Sequence, residues 1–144
     1  MLLRTKLFLW AWVCSVGSVM AGPASVAQGR IDMGFAEGVF AEICNSGIEE
    51  PQVVMRQVIL ETGWLRSPFL MAKNNLFAFR KVLYLEFEHW TESVQYYKSW
   101  QDRHYRDSDK SYFSFLQRIK YGSRDYLTHL KKIKWDRECP AEAQ

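Results

Sequence analysis

The stretch that most constrains this chain runs from Pro51 to Gly63. Pro51 suits a first helical turn, where its missing N–H would be unpaired anyway. Gly63 suits the position just past a helix end, which favours a left-handed backbone. Gln52 to Thr62 then forms about three turns of helix. Val54, Val58 and Glu61 share one face by their spacing of four and three, and Met55, Ile59 and Thr62 share the next. A helix apolar over so much of its surface is expected to be buried. Glu61 extends an apolar stripe in the last turn, a poor place for an ordinary surface glutamate.

Two effects act on a carboxyl in that position. Desolvation disfavours the charged form, and the negative end of the helix dipole does the same. Both raise the pKa. A carboxylic acid that keeps its proton near neutral pH is what a general acid needs to protonate a glycosidic oxygen. The competing reading is a glutamate paired with Arg56 or Arg66.

Further motifs follow in order. Gln57 to Trp64 reads Gln-Val-Ile-Leu-Glu-Thr-Gly-Trp, and Asn74-Asn75-Leu76-Phe77 comes a short distance later. Trp90-Thr91-Glu92-Ser93 and Tyr121-Gly122-Ser123 complete the series. Together, from about Phe35 to Ile133, they resemble the glucosaminidase family of bacterial peptidoglycan hydrolases, glycoside hydrolase family 73. The family pattern has Gly where this chain has Leu65 and Ala78, and its late tyrosine turn is one residue longer and carries a Pro. The bulk of Leu65 is expected to narrow the cleft beside Trp64.

The resemblance implies a mainly α (α+β) fold: a lysozyme-like helical domain with a short β-hairpin beside the cleft. It implies an endo-β-N-acetylglucosaminidase that cleaves the β-1,4 bond after N-acetylglucosamine, with Glu61 as general acid. Glu86 and Glu88 stand where some members carry a second carboxylate. Strand alternation puts both on one side, so pattern does not choose between them. The substrate's acetamido group is the alternative second participant. Trp64, Phe77 and Tyr121 are candidates for stacking on sugars, with core packing as the plain alternative. Asn75 is expected to hold the cleft floor, and Tyr121 or Tyr126 to orient the acetamido group. The expected partner is a peptidoglycan glycan strand, met by a monomer, with no cofactor and no metal. A muramidase or lytic transglycosylase, and a degenerate glycan-binding envelope protein, stay open as alternatives.

Residues 1–21 read as a secretory signal peptide: Arg4 and Lys6, then an apolar run from Leu7 to Val19, then small residues before a cut. The run is short for a membrane span. A flexible start over 22–34, a catalytic domain over 35–135 and a tail over 136–144 follow. An exported protein of the bacterial periplasm or envelope is expected. Without Arg4 and Lys6 the 19 Lys and Arg fall to 17 against 16 Asp and Glu, which gives no basis for nucleic-acid binding. Cys44 and Cys139 remain after the leader, and an even pair in an exported chain suggests a disulfide. His89, His104 and His129 are scattered and are not read as metal ligands.

Elsewhere, Phe35, Val39 and Ile43 mark a first helix, and Ser67-Pro68 starts a short one ending near Met71-Ala72. Leu76 to Phe87, rich in aromatic and β-branched residues, reads as the hairpin, though without an Asn-Gly type turn. His89 and Glu92 resemble half of a capping box. Helices are expected through Val94 to Gln101, Tyr112 to Ile119, and Asp125 to Trp135, with a charged loop over Asp102 to Ser111.

Overall fold

The computed structural model describes residues 31–141. The leader expected over 1–21 lies outside the described residues, as does most of the 22–34 stretch. Six helices occur in order: α1 (Met33–Asn45), α2 (Pro51–Thr62), α3 (Pro68–Ala72), α4 (Trp90–His104), α5 (Tyr112–Arg118) and α6 (Tyr126–Lys132). None of them is long and apolar enough to cross a membrane.

Local chemistry sets the boundaries. The Asp32 carboxylate accepts from the Phe35 N–H at 3.0 Å and opens α1. Pro51 opens α2, and Gly63 ends it at φ 57°, donating to the Ile59 carbonyl. Ser67 and Ser111 cap α3 and α5 through their hydroxyls. His89 caps α4 through its ring nitrogen, and the Glu92 carboxylate reaches back to the Glu88 N–H at 3.2 Å.

Helix α2 is the centre of the packing. It lies against α1 and α6, while α4 lies against α1 and α5 against α6. Val54, Met55, Val58 and Ile59 are almost wholly buried, facing Ala36, Val39 and Ile43 of α1 and Leu130 of α6 in one core. Each such side chain contributes roughly 1.5–3 kcal/mol when withdrawn from water.

The expected β-hairpin beside the cleft is not present. The fold is essentially all-α, and among the described residues there is no strand, only one isolated bridge between Arg80 and Tyr84. The reason is visible in the 76–87 segment. Ala78 takes a left-handed φ of 52°, which interrupts any extended run. The Asn75 side chain then closes the loop, donating to the Phe79 and Leu85 carbonyls and accepting from the Phe79 N–H, all at 2.8–2.9 Å. Val82 and Leu83 at the tip are 95% and 80% exposed, so no third element covers them. Two short strands without such cover are marginal.

Two helix ends also differ from expectation. Helix α4 continues to His104, into the stretch read as a loop. Helix α6 stops at Lys132, and Ile133 turns extended. The chain then lays Trp135 edge-on against Phe40, with ring centroids 5.5 Å apart. Arg56 of α2 holds this return by donating to the Trp135 carbonyl and the Asp136 carboxylate. Cys139 is thereby brought to α1, where it is bonded to Cys44 across 95 residues of sequence. A closed loop of that length stabilises a fold by about 4.7 kcal/mol in the chain-entropy account. Urea unfolding with and without a thiol reductant checks this: the reduced protein should unfold at clearly lower urea, with the helical circular dichroism signal otherwise retained.

Candidate functional site

Thr62 organises the end of α2. Its buried hydroxyl donates to the Val58 carbonyl at 2.6 Å and accepts from the Leu65 N–H at 2.8 Å. Its carbonyl accepts from the Arg66 and Ser67 N–H groups. These bonds hold Gly63, Trp64 and Leu65 in consecutive left-handed conformations, φ 57°, 63° and 58°. The chain turns away sharply, and Glu61 is left in the wall of an open cleft of ≈ 730 Å³.

The far wall of the cleft comes from three other places. Phe77, Ala78, Phe79, Arg80 and Tyr84 come from the loop after α3, Trp100 and His104 from the end of α4, and Ile119 to Ser123 from the turn between α5 and α6. The Trp100 indole is edge-on to Tyr121, centroids 5.5 Å apart, and stacks on the His104 ring. Tyr121 in turn meets Tyr126 edge-on at 5.1 Å.

Glu61 has no cationic partner among the described residues. Arg56 is committed to Trp135 and Asp136, and the Arg66 guanidinium donates to the Gly63 carbonyl. Burial raises the Glu61 pKa above its ordinary 4.5, and the neighbouring Tyr126 hydroxyl partly opposes the rise. That hydroxyl acts on Glu61 without a hydrogen bond of regular geometry, and it is itself buried and unpartnered, as is the Gln57 amide nitrogen one turn back on α2. Burial raises the pKa of both Tyr121 and Tyr126, and the Glu61 charge adds to both shifts. These phenols stay neutral and can only donate or accept hydrogen bonds beside the carboxyl.

The remaining candidates fall in different places. Phe77 touches the cleft, yet its ring is 2% exposed and stacks on Tyr97 at 4.3 Å, so most of it is core. Tyr121 lines the cleft. Tyr126 packs behind it. Asn75 is fully buried and fixes the floor loop as described. Trp64 and Leu65 do not line the cleft. Neither do the two further carboxylates: Glu86 is exposed and paired with Lys73 at 2.9 Å, and Glu88 is exposed at the approach to α4. Glu61 is the one carboxylate among the described lining residues. Trp100, His104, Arg80 and Lys120 had no sequence signal marking them as lining. Each is ordinary for its own segment, and only the fold brings them together.

A cleft that presents one half-buried acid among aromatic rings is suited to acid chemistry on a carbohydrate. The comparison with known families agrees. Residues 40–137 match the model of the glucosaminidase family, described as mannosyl-glycoprotein endo-beta-N-acetylglucosaminidase. The chain belongs to that family, a family of glycan hydrolases. No match was found among curated proteins or solved structures.

The left-handed positions explain two departures from the family pattern. Leu65 and Ala78 stand where Gly is usual, and both have φ above 50°. A side chain in that region costs roughly 1–2 kcal/mol, which Gly avoids at some loss of chain entropy. Ala78→Gly is therefore expected to raise stability by about 0.5–1 kcal/mol, as urea denaturation measures it. A fall instead would mean that packing of the Ala78 methyl outweighs the strain.

The raised Glu61 pKa has a stability consequence. Near and above the ordinary value of 4.5 the unfolded chain releases a proton that the native state retains. Stability is therefore lost as pH rises from that value through the raised native one. Glu61→Gln cannot ionise and removes this loss. Denaturation curves should show the variant more stable than wild type at pH 7, with the difference closing below pH 4. Equal curves at both pH values would mean that Glu61 is solvated like a surface carboxylate.

Proposed function

We propose that this protein is a peptidoglycan hydrolase that cleaves the β-1,4 bond after N-acetylglucosamine in glycan strands. The observation that carries the reading is Glu61: half-buried, without a cationic partner among the described residues, and set in the cleft wall of a glucosaminidase-family chain. Glu61 donates its proton to the glycosidic oxygen as the bond to the anomeric carbon breaks. Since Glu61 is the one carboxylate lining the cleft among the described residues, the substrate supplies the second participant. The acetamido carbonyl oxygen closes on the anomeric carbon from the opposite face, and water, deprotonated by Glu61, then opens that ring. Tyr121 orients the acetamido group, and Tyr126 packs behind it with its hydroxyl beside the Glu61 carboxyl. Tyr121 offers the aromatic contact to the sugars. The leader read at residues 1–21 and the Cys44–Cys139 bond support an exported setting in the bacterial envelope.

A second reading rests on the same lone carboxylate. A cleft without a second acid also suits a domain that holds glycan without cutting it, and a muramidase or lytic transglycosylase also works with one glutamate.

Digestion of purified peptidoglycan by the oxidised protein, with mass spectrometry of borohydride-reduced fragments, separates these readings. Fragments ending in reduced N-acetylglucosamine are expected from wild type, falling at least 1,000-fold with Glu61→Gln, on the scale of losing a general acid and more. Glu86→Gln and Glu88→Gln are expected to keep activity within about threefold; a large loss in either would make that residue the second participant. Fragments ending in muramic acid or its anhydro form would move the activity to the muramidase or transglycosylase class. A folded wild type that binds strands and releases nothing would make the domain a binder.

A further inference from the structure

A second hollow of ≈ 330 Å³ lies beside the cleft. The two share one wall, the backbone and side chains of Lys120, Tyr121, Gly122 and Ser123. They are therefore neighbouring parts of one surface and within reach of a single extended ligand. Their charge is one-sided. Arg80 and Lys120 line the cleft, and Lys120 and Arg124 line the smaller hollow. Among the described residues the one carboxylate lining either is Glu61, which burial biases toward its neutral form. Arg80, Lys120 and Arg124 are all exposed and take part in no ion pair among the described residues. Arg56, Lys73, Lys98, Arg118 and Arg137 have acidic partners, while Arg66, Lys81, Arg103, Arg106, Lys110, Lys131, Lys132 and Lys134 also lack one among the described residues, so it is the gathering of these three on adjoining hollows that sets them apart. Three cations without acids, lining two adjoining hollows in a chain of nearly balanced charge, point to an anionic ligand.

The backbone reinforces this placement. Lys120 is held left-handed at φ 55° by the turn, with its N–H bonded to the Gln117 carbonyl and the Tyr121 N–H bonded to the Leu116 carbonyl. Gly122 follows at φ 73°, and a Cβ there would lie 2.3 Å from the Tyr126 ring. The loop is thus seated on Tyr126, which fixes the base from which Lys120 reaches into both hollows.

This inference rests on the peptidoglycan reading and names what the cleft selects within that polymer. The sugars themselves are neutral apart from the lactyl ether on every second one. In intact polymer that ether is amide-linked to a short peptide, and the free carboxylates of the peptide carry the negative charge. We propose that Arg80, Lys120 and Arg124 bind the peptide carboxylates of the stem next to the scissile bond, so that the enzyme selects stem-bearing strands over bare glycan. The sugar chain occupies the cleft beside Glu61, and the stem passes over the Lys120–Ser123 loop into the smaller hollow. Exposed charge pairs of this kind are worth up to about fivefold each, so three acting together should give a preference of about tenfold.

The test uses three soluble probes of matched length: stem-bearing strands, strands stripped by an amidase so that only the lactyl carboxylate remains, and neutral chito-oligosaccharides. Affinities are measured by calorimetry on the full oxidised chain carrying Glu61→Gln, which prevents turnover. Stem-bearing strands should bind about tenfold more tightly than stripped ones, and the advantage should shrink in 0.5 M salt. Adding Arg80→Gln, Lys120→Gln and Arg124→Gln should bring the ratio to within about twofold. These residues are exposed, and an unchanged melting temperature would show that the fold is intact. Should the triple variant not fold, Arg124→Gln alone, outside the cleft, should still lower the ratio by about threefold. Equal affinity for stem-bearing and stripped strands would overturn the proposal, as would a ratio that survives the substitutions. Stripped strands matching stem-bearing ones while chito-oligosaccharides bind tenfold more weakly would assign the cations to the lactyl group instead, and would equally overturn it. The hydrolase reading fails separately. No product from wild type with the affinity ratio intact overturns hydrolysis alone, and products with a ratio of one overturn stem recognition alone.

Discussion

The structure depends on α2 being covered on nearly every side. Its apolar residues alone do not explain that burial, because Gln57 lies in the same helix and is fully buried too. A buried amide costs free energy unless it is bonded, and in Gln57 the oxygen is bonded while the nitrogen is not. The Gln57 carbonyl oxygen accepts from the Tyr97 hydroxyl at 2.6 Å, and that hydroxyl meets Tyr112 at 2.5 Å. Tyr112 accepts from the Gln101 amide, which also clasps both backbone groups of Glu49. A chain of polar contacts thus runs from α2 through α4 and α5 to the loop before α2. It fixes how those helices meet, with a specificity that apolar contacts alone do not impose.

Glu61 stands one turn beyond Gln57, where this cover ends. The Thr62 hydroxyl and carbonyl convert the end of the helix into a left-handed turn, and the chain leaves the cleft open. The acid is consequently fixed on a largely buried helix, while the other surfaces of the cleft come from two loops and the end of α4. A reacting acid must be held within a fraction of an ångström, whereas the residues that greet different sugars and substituents tolerate more variation. The division of labour between α2 and the other lining segments follows from that difference.

How much of this was legible in the sequence differs by element. The limits of α2 were, because Pro51 and Gly63 act through local backbone geometry that neighbouring residues do not override. The Ser67-Pro68 start of α3 was legible for the same reason. The 76–87 segment was not. Its aromatic and β-branched content signals extended chain, but whether two extended pieces pair depends on cover and on turn geometry, and here Ala78 and the Asn75 side chain decided the outcome. The early end of α6 was set by a distant requirement, the return of Trp135 to Phe40 and of Cys139 to Cys44. Glu61 announced itself by an apolar stripe on its own helix. The cleft lining did not, since Arg80, Trp100, His104 and Lys120 come together only in three dimensions. The Gly positions of the family pattern were visible as departures at Leu65 and Ala78, and the left-handed backbone supplies their physical meaning.

The buried phenols carry a consequence at the alkaline end of the pH scale. Four of the seven tyrosines, Tyr97, Tyr112, Tyr121 and Tyr126, have pKa values raised well above 10, first of all by burial. In an unfolded chain each would ionise near 10. The native state therefore withholds four protons that the unfolded chain gives up, and alkali works against the fold through each of them. The helices must part before these rings can take on charge. Tyrosinate absorbance in the near ultraviolet would then be a built-in optical record of opening, contributed by the rings that tie α2, α4, α5 and α6 together.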